Sequence, residues 1–509
     1  MSWRIAARGG PATCAMVLMA CGAHAAGEGH RAAGTPARPA RVAGAPGADW
    51  TRFGYDAQRS GVGPAATGIT AANARRLKPR VIRLDGVADS SPIELHGVVV
   101  AGRRRDVVVL TTTYGRTIAI DPGTGARLWE YTPKDIAAYQ GSPQITTASP
   151  IADPGRAYVY AATPDGLIHR LAVASGREAR SGGWPVRVTF NPRREKIAAA
   201  LNIVGTRLLV TTGGYYGDAP SYQGHLVEID LASGRIAAVW NALCSDRRRL
   251  IDPTSSCPAS DAAIWARAGA VVEPGGRRIL VATGNGPFNG VTDWGDSVLE
   301  LSVDGLRLLH NWTPADQVAL ASSDTDLGSS APALLPVVDG RHLAVQGGKD
   351  GRLHVLDLAR LDGTAGPAGR RLGGEVQEVA SPGGAEVLTA PAVWRHAGRV
   401  YVFVADDGGT AAYLAHGGPH PGLSVAWRNG QAGTSPVLAG GLLYVYDEQA
   451  GALRVYDPQR GRQVVSLPAA AGHWSSPIVA GGRVILPTGG STADAAAASR
   501  LFIYHLPGR

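Results

Sequence analysis

The chain has 509 residues, with 68 glycines, 34 prolines and a formal net charge of +9. Glycine and proline at that level argue for many turns and against long helices. The positive charge is scattered, its densest runs (Arg103-Arg104-Arg105 and Arg247-Arg248-Arg249) read as solvated loops, and no aromatic interleaving marks a basic surface, so no nucleic-acid partner is expected.

At the N-terminus, Arg4 and Arg8 flank the start of an apolar, small-residue stretch over 11–21, the pattern of an export signal. Two cleavage readings compete. Leu18-Met19-Ala20-Cys21 resembles a lipoprotein box that would lipidate Cys21, and Ala23-His24-Ala25 offers an ordinary site after Ala25. Residues 1–25 are therefore expected to be a signal peptide, with the mature protein secreted to the periplasm, soluble or lipid-anchored through Cys21. Residues 26–48 are Ala, Gly, Pro and Arg without periodicity and read as a disordered linker. No later stretch is long and apolar enough for a transmembrane segment. Cys14 and Cys21 belong to the signal, which leaves Cys244 and Cys257. In an oxidising compartment they are expected to form a loop-stapling disulfide, the alternative being two free thiols. Two cysteines exclude a four-thiolate metal site, and no C-x-x-C-H exists for haem c.

From Asp49 to the end, short β-rich runs alternate with turn residues. The clearest unit is Gly115-Arg116-Thr117-Ile118-Ala119-Ile120-Asp121, then Thr124-Gly125, then Leu128-Trp129-Glu130-Tyr131. Alternate apolar residues face a sheet interior, Asp, Thr and Gly close a tight turn, and the Trp packs between neighbouring units. Weaker copies pass through Ser175-Gly176, Asp230 and Trp240, Trp312, Asp357, Trp427 and Asp457. A second mark, a Ser/Thr/Ala pair followed by Pro, opens strands at Pro92, Pro150, Pro332, Pro391, Pro436 and Pro477. A spacing of roughly fifty residues suits four-stranded blades. Seven copies are visible, and residues 500–504 supply an eighth, closed by strands from the two ends of the chain. The expected fold is all-β, an eight-bladed β-propeller of four-stranded antiparallel blades over 49–509, with seven blades as the alternative.

These repeats resemble the pyrroloquinoline-quinone (PQQ) propeller family, the quinoprotein alcohol dehydrogenases and their relatives. Asp49-Trp50 through Asp56 to Arg59 is similar to the family's opening segment. The signature is specific for the fold and not for chemistry, because the same blades build scaffolds such as the propeller lipoprotein of the outer-membrane barrel-assembly machinery. In the family's enzymes a quinone lies on an indole floor near the axis, held by calcium. The resemblance of Ile264-Trp265-Ala266-Arg267 and Thr283-Gly284-Asn285-Gly286 to family segments implies Trp265 under the cofactor and Asn285 on the metal. The alternative is a blade-packing Trp and a turn Asn. Asp324-Thr325-Asp326-Leu327-Gly328 resembles the segment of the catalytic aspartate, which implies Asp326 as base with Asp324 as the neighbouring alternative; the competing reading is an exposed acidic loop. Gly347-Gly348-Lys349-Asp350-Gly351 implies Lys349 as the cationic quinone contact, against a plain surface lysine. The family's glutamate ligand is missing from Gly213-Gly214-Tyr215-Tyr216-Gly217-Asp218, where Asp218 is the substitute, since calcium accepts any hard oxygen. The family's vicinal cysteine pair is replaced by Thr146-Thr147-Ala148-Ser149.

Two functions follow from the resemblance. One is a PQQ- and calcium-dependent oxidoreductase acting on an alcohol or sugar, passing electrons to a separate acceptor. The other is a cofactor-free scaffold that binds envelope proteins. Convergence of Trp265, Asn285, Asp326 and Lys349 on the axis favours the first, and the missing glutamate favours the second.

Overall fold

The computed structural model describes residues 49–362, 372–490 and 499–508. The expected export signal with Cys21 and the expected 26–48 linker lie outside them. Among the described residues there are eight four-stranded antiparallel sheets, the blades of a propeller. Blades 1 to 7 are consecutive in the chain, over 93–131, 151–187, 202–241, 271–312, 333–380, 392–429 and 437–468. Blade 8 combines Ile478–Ala480 and Arg483–Thr488 with Arg500–His505 and, at its outer edge, Lys78–Arg83. The register Lys78↔His505 through Arg83↔Arg500 ties the two ends of the propeller together. A closed ring removes the exposed strand edges that invite aggregation. The longest described α-helix, Gln317–Ser322, has six residues, and no described helix is long and apolar enough to cross a membrane.

Each sheet is packed between two others, so its central strands are buried on both faces. Val107, Val108, Val109 and Leu110 are all buried, as are Thr117 to Ile120. The alternation expected in the repeat is therefore absent there and survives in outer strands such as Gln377–Ala380. Arg103-Arg104-Arg105, expected in a loop, instead begin the second strand of blade 1, paired with Val98, Val99 and Val100. They sit beside a hairpin tip, where long side chains reach water from strand positions.

The repeat explains how blades join. Trp129 of blade 1 donates its indole N–H to the Val173 carbonyl of blade 2 at 2.8 Å, and Trp427 of blade 6 does the same to Pro458 of blade 7. Each indole lies on the turn glycine of the next blade. A Cβ on Gly176 would stand 2.5 Å from Trp129, and one on Gly461 2.5 Å from Trp427. Both glycines also have φ near +67°, so conformation and contact demand the same residue. At the closing seam, Arg80 and Ile82 cover Gly125 in place of a Trp. The Ser-Pro marks join blades near the axis. Ser91 Oγ lies 2.7 Å from Ser476 Oγ, the Ser91 amide donates to Ser149 Oγ, and the Ala390 amide donates to Ser435 Oγ.

The opening segment straps the inner strands together. Trp50 exchanges backbone bonds with Glu94, and carbonyls of Thr51, Ala57, Ser60 and Gly61 accept from Ala152, Val272, Val393 and Leu438. Arg59 is buried at its centre and donates to the carbonyls of Phe53, Ala200, Leu201 and Ala268. Cys244 and Cys257 form the expected disulfide, with Cα atoms 6.1 Å apart.

Candidate functional site

Residues just ahead of the innermost strands, and residues that follow the second strands of the blades, supply the candidate site. Asp326 precedes the Leu327–Ser329 turn that leads into blade 5, and Lys349 lies in the turn between Leu343–Gly347 and Arg352–Asp357 of the same blade. Lys349 Nζ sits 2.5 Å from Asp326 Oδ2 and 3.2 Å from Asp324 Oδ1. Burial works against the lysine charge, but Asp326 and Asp324 outweigh it and hold its pKa above the ordinary value. Asn285 follows the second strand of blade 4. Its amide N–H donates to Asp326 Oδ1 at 2.9 Å and its Nδ2 to Asp324 Oδ1 at 3.0 Å. Both oxygens of Asp326 are thus fixed, which sets its carboxylate plane. Asp326 is 8% exposed, so it is not the solvated loop residue of the alternative reading, whereas the Asp324 side chain is 72% exposed.

Trp265 completes the group. Lys349 Nζ lies 5.8 Å from its ring centroid, and Gly284 leaves room between Trp265 and Asp326. Four residues separated by up to 84 positions in sequence therefore meet at one place. Asp218 stands at the edge of this group. It accepts a 2.7 Å hydrogen bond from Tyr222 Oη and makes no hydrogen bond to any of the four. Burial raises its pKa, and the charges of Asp326 and Asp324 push the same way. Asp261 is raised by burial too, with Asp218 and Asp326 adding to it. Four carboxyls thus face one ammonium.

The donor set suits a hard cation in kind. Asn285 Oδ1 is buried without a hydrogen-bond partner, as an amide oxygen reserved for a ligand would be. It is less complete in geometry, because no three of these carboxylates offer oxygens within 4.8 Å of one another. Glu195, a buried glutamate, is committed to other partners: its Oε1 lies 3.0 Å from His225 Nε2 and accepts from the Gln223 amide.

Sequence reasoning missed a second cluster. Arg267 donates to Asp89 Oδ1 at 2.7 Å and to the Asp89 carbonyl, and its guanidinium lies 5.5 Å from the Trp474 ring centroid. His473 Nδ1 is 3.0 Å from Asp89 Oδ2, and Trp474 stacks on Trp265 with centroids 6.0 Å apart. Burial opposes the Asp89 charge, but Arg267 and His473 overcome it and keep its carboxyl below the ordinary range. Lys196, within electrostatic reach of this pair, has its pKa lowered to about 8 by burial, with Arg267 adding to the effect. A signal existed: Asp89 and Trp474 immediately precede the Ser-Ser-Pro marks at Pro92 and Pro477, just ahead of innermost strands. Asp296 was missed as well. It is fully buried, accepts from the Leu327 amide at 3.1 Å, and burial pushes its pKa up to about 8.

Solved structures share this architecture at low identity. A quinohemoprotein alcohol dehydrogenase from Comamonas testosteroni is similar over 92% of this chain and 82% of its own, at 15% identity and a TM-score of 0.66. A europium-containing methanol dehydrogenase is similar over 90% and 98%, at 14% identity and 0.65. BamB from Moraxella catarrhalis is similar over 85% and 98%, at 15% identity and 0.51. At such identities the likeness is one of fold. Among curated proteins, no significant sequence match was found. Residues 94–255 and 373–500, more than half of the chain, match the family described as outer membrane protein assembly factor BamB. With eight blades joined by the Trp–Gly repeat, the chain belongs to that family of PQQ-repeat β-propellers.

Proposed function

We propose that this protein is a quinoprotein oxidoreductase of the periplasm that acts on an alcohol or sugar. The observation that carries the reading is the meeting of Trp265, Asn285, Asp326 and Lys349 at the axis. Trp265 would lie under the quinone, and Asn285 with Asp218 would ligate calcium. When bound, these groups supply a two-electron acceptor for hydride and a Lewis acid. The protein's own part is to orient and to move a proton. Asn285 and Lys349 hold the Asp326 carboxylate in one plane, and its Oδ2 takes the hydroxyl proton of a bound alcohol. Lys349 pairs with Asp326 at 2.5 Å and stands among the neighbouring carboxyls. With no haem attachment motif in the sequence, electrons leave to a separate acceptor.

A second reading is a cofactor-free scaffold for envelope proteins, anchored through Cys21 or free. It is favoured by the family match and by the missing glutamate in Gly213-Gly214-Tyr215-Tyr216-Gly217-Asp218, where Asp218 is only a substitute. Calorimetric titration of the mature protein with PQQ, with and without calcium, separates the two. Calcium-dependent binding near one equivalent, weakened in Asp218→Ala and Asn285→Ala, supports the oxidoreductase. No binding at high micromolar quinone overturns it and leaves the scaffold.

A further inference from the structure

Toward the hairpin end of its innermost strand, blade 1 gathers another set of donors. Glu94 and His96 lie on its innermost strand, Ile93–Val100, and Asp106 on the next, Arg103–Thr111. A register shift between Leu95 and Val98 interrupts the ladder beside His96. His96 Nδ1 is 3.4 Å from Asp106 Oδ1 and 3.8 Å from Glu94 Oε1. One donor atom from each of the three residues lies within 4.8 Å of the others, the one such group among the described residues. Ligands around a tetrahedral zinc ion with bonds of about 2.0–2.1 Å are about 3.3 Å apart, so the spacing is close to that of a first coordination sphere.

A further observation points to a missing partner: the Glu94 side chain is fully buried, yet its Oε2 has no hydrogen bond. The other contacts orient the set. Arg483, from blade 8, lies 3.1 Å from Glu94 Oε1 and 3.3 Å from Asp106 Oδ2, and the Gly97 amide donates to Asp106 Oδ1 at 3.1 Å. Asp49 accepts from the His96 amide at 2.7 Å, and Trp50 pairs with the Glu94 backbone.

We propose that Glu94, His96 and Asp106 bind a divalent transition-metal ion of the zinc type, with Arg483 as an outer partner that orients both carboxylates. The donor set decides the class. Two carboxylates with an imidazole suit zinc or manganese, whereas calcium and magnesium take oxygen alone. The ion would sit where blade 1, blade 8 and the opening segment meet, and would staple the seam at which the ring closes.

The test uses the full mature protein, stripped with a chelator and titrated calorimetrically with zinc chloride. One equivalent is expected to bind and to raise the thermal midpoint. His96→Gln and Asp106→Asn should weaken binding at least tenfold, while Asp218→Ala and Asn285→Ala leave it unchanged. Because seam variants can fail to fold, crystals of the wild-type protein soaked in zinc would be measured at the zinc absorption edge. An anomalous peak among the three side chains supports the site. No uptake by the wild type, binding indifferent to both seam variants, or a peak only elsewhere overturns it.

Discussion

Replacing Gly284 with alanine tests whether the fixed carboxylate plane of Asp326 matters. A Cβ at this position would stand 2.1 Å from Asp326 Oδ1, 3.2 Å from its Cγ and 3.3 Å from Trp265 Nε1. Gly284 is not in the left-handed region, so the backbone accepts alanine and the effect is purely steric. An allowed contact requires Asp326 to move by about 1 Å, which breaks the 2.9 Å bond from the Asn285 amide and opens the pair with Lys349. Overpacking of this kind costs about 1–3 kcal/mol of stability. A displacement of about 1 Å at a reacting group costs on the order of a hundredfold in rate. The assays are urea denaturation, calorimetric binding of PQQ with calcium, and turnover of alcohols with an artificial electron acceptor. Gly430→Ala is the control, because no atom lies within 4 Å of its added Cβ. If Gly284→Ala binds and turns over like the wild type while folding normally, Asp326 is not the base and the site assignment fails.

Asp296, with its carboxyl raised to about 8 by burial, should hold its proton in the folded protein at neutral pH. A raised acid binds more protons folded than unfolded, so its contribution to stability falls as pH climbs from about 4 to 8. Asp296→Asn should flatten that decline, by an amount on the order of a few kcal/mol, and still accept from the Leu327 amide; an unchanged stability–pH profile would contradict the buried neutral acid. Trp129→Ala removes a buried indole that joins two blades and should cost about 3–5 kcal/mol in denaturant unfolding; a loss under 1 kcal/mol would mean the Trp–Gly joint carries little. The Cys244→Ser, Cys257→Ser double variant frees a short loop and should lose roughly 2–4 kcal/mol, and an unchanged unfolding midpoint would show that the loop is held by other contacts.

Much of the fold was legible because a propeller repeats local physics. The Asp-x-x-Thr-Gly turn is built within a few residues: Asp121 Oδ1 accepts from the Gly123 and Thr124 amides. The Trp at the end of the unit and the Ser-Pro at its start each meet the adjacent blade, so they recur at blade spacing and announce blade number and order. The resemblance assigned five site residues; Trp265, Asn285, Asp326 and Lys349 lie together, and Asp218 stands at their edge. What it could not weigh was Asp218, whose position depends on the Tyr222 hydroxyl, or the burial of Asp326 against the exposure of Asp324 two residues away.

By itself, then, the sequence determined the blade repeat, the joints between neighbours and the disulfide loop, since each depends on residues within one or two blades. Only the tertiary structure decided the axial clusters and the closing seam. Asp89 and Arg267 are 178 residues apart, His473 is 384 from Asp89, and Arg483 is 389 from Glu94. Such pairs have no periodicity to betray them. They meet because closing the ring at Lys78–Arg83 and Arg500–His505 turns eight local sheets inward on a common axis, where charges drawn from distant blades must find one another or remain unpaired.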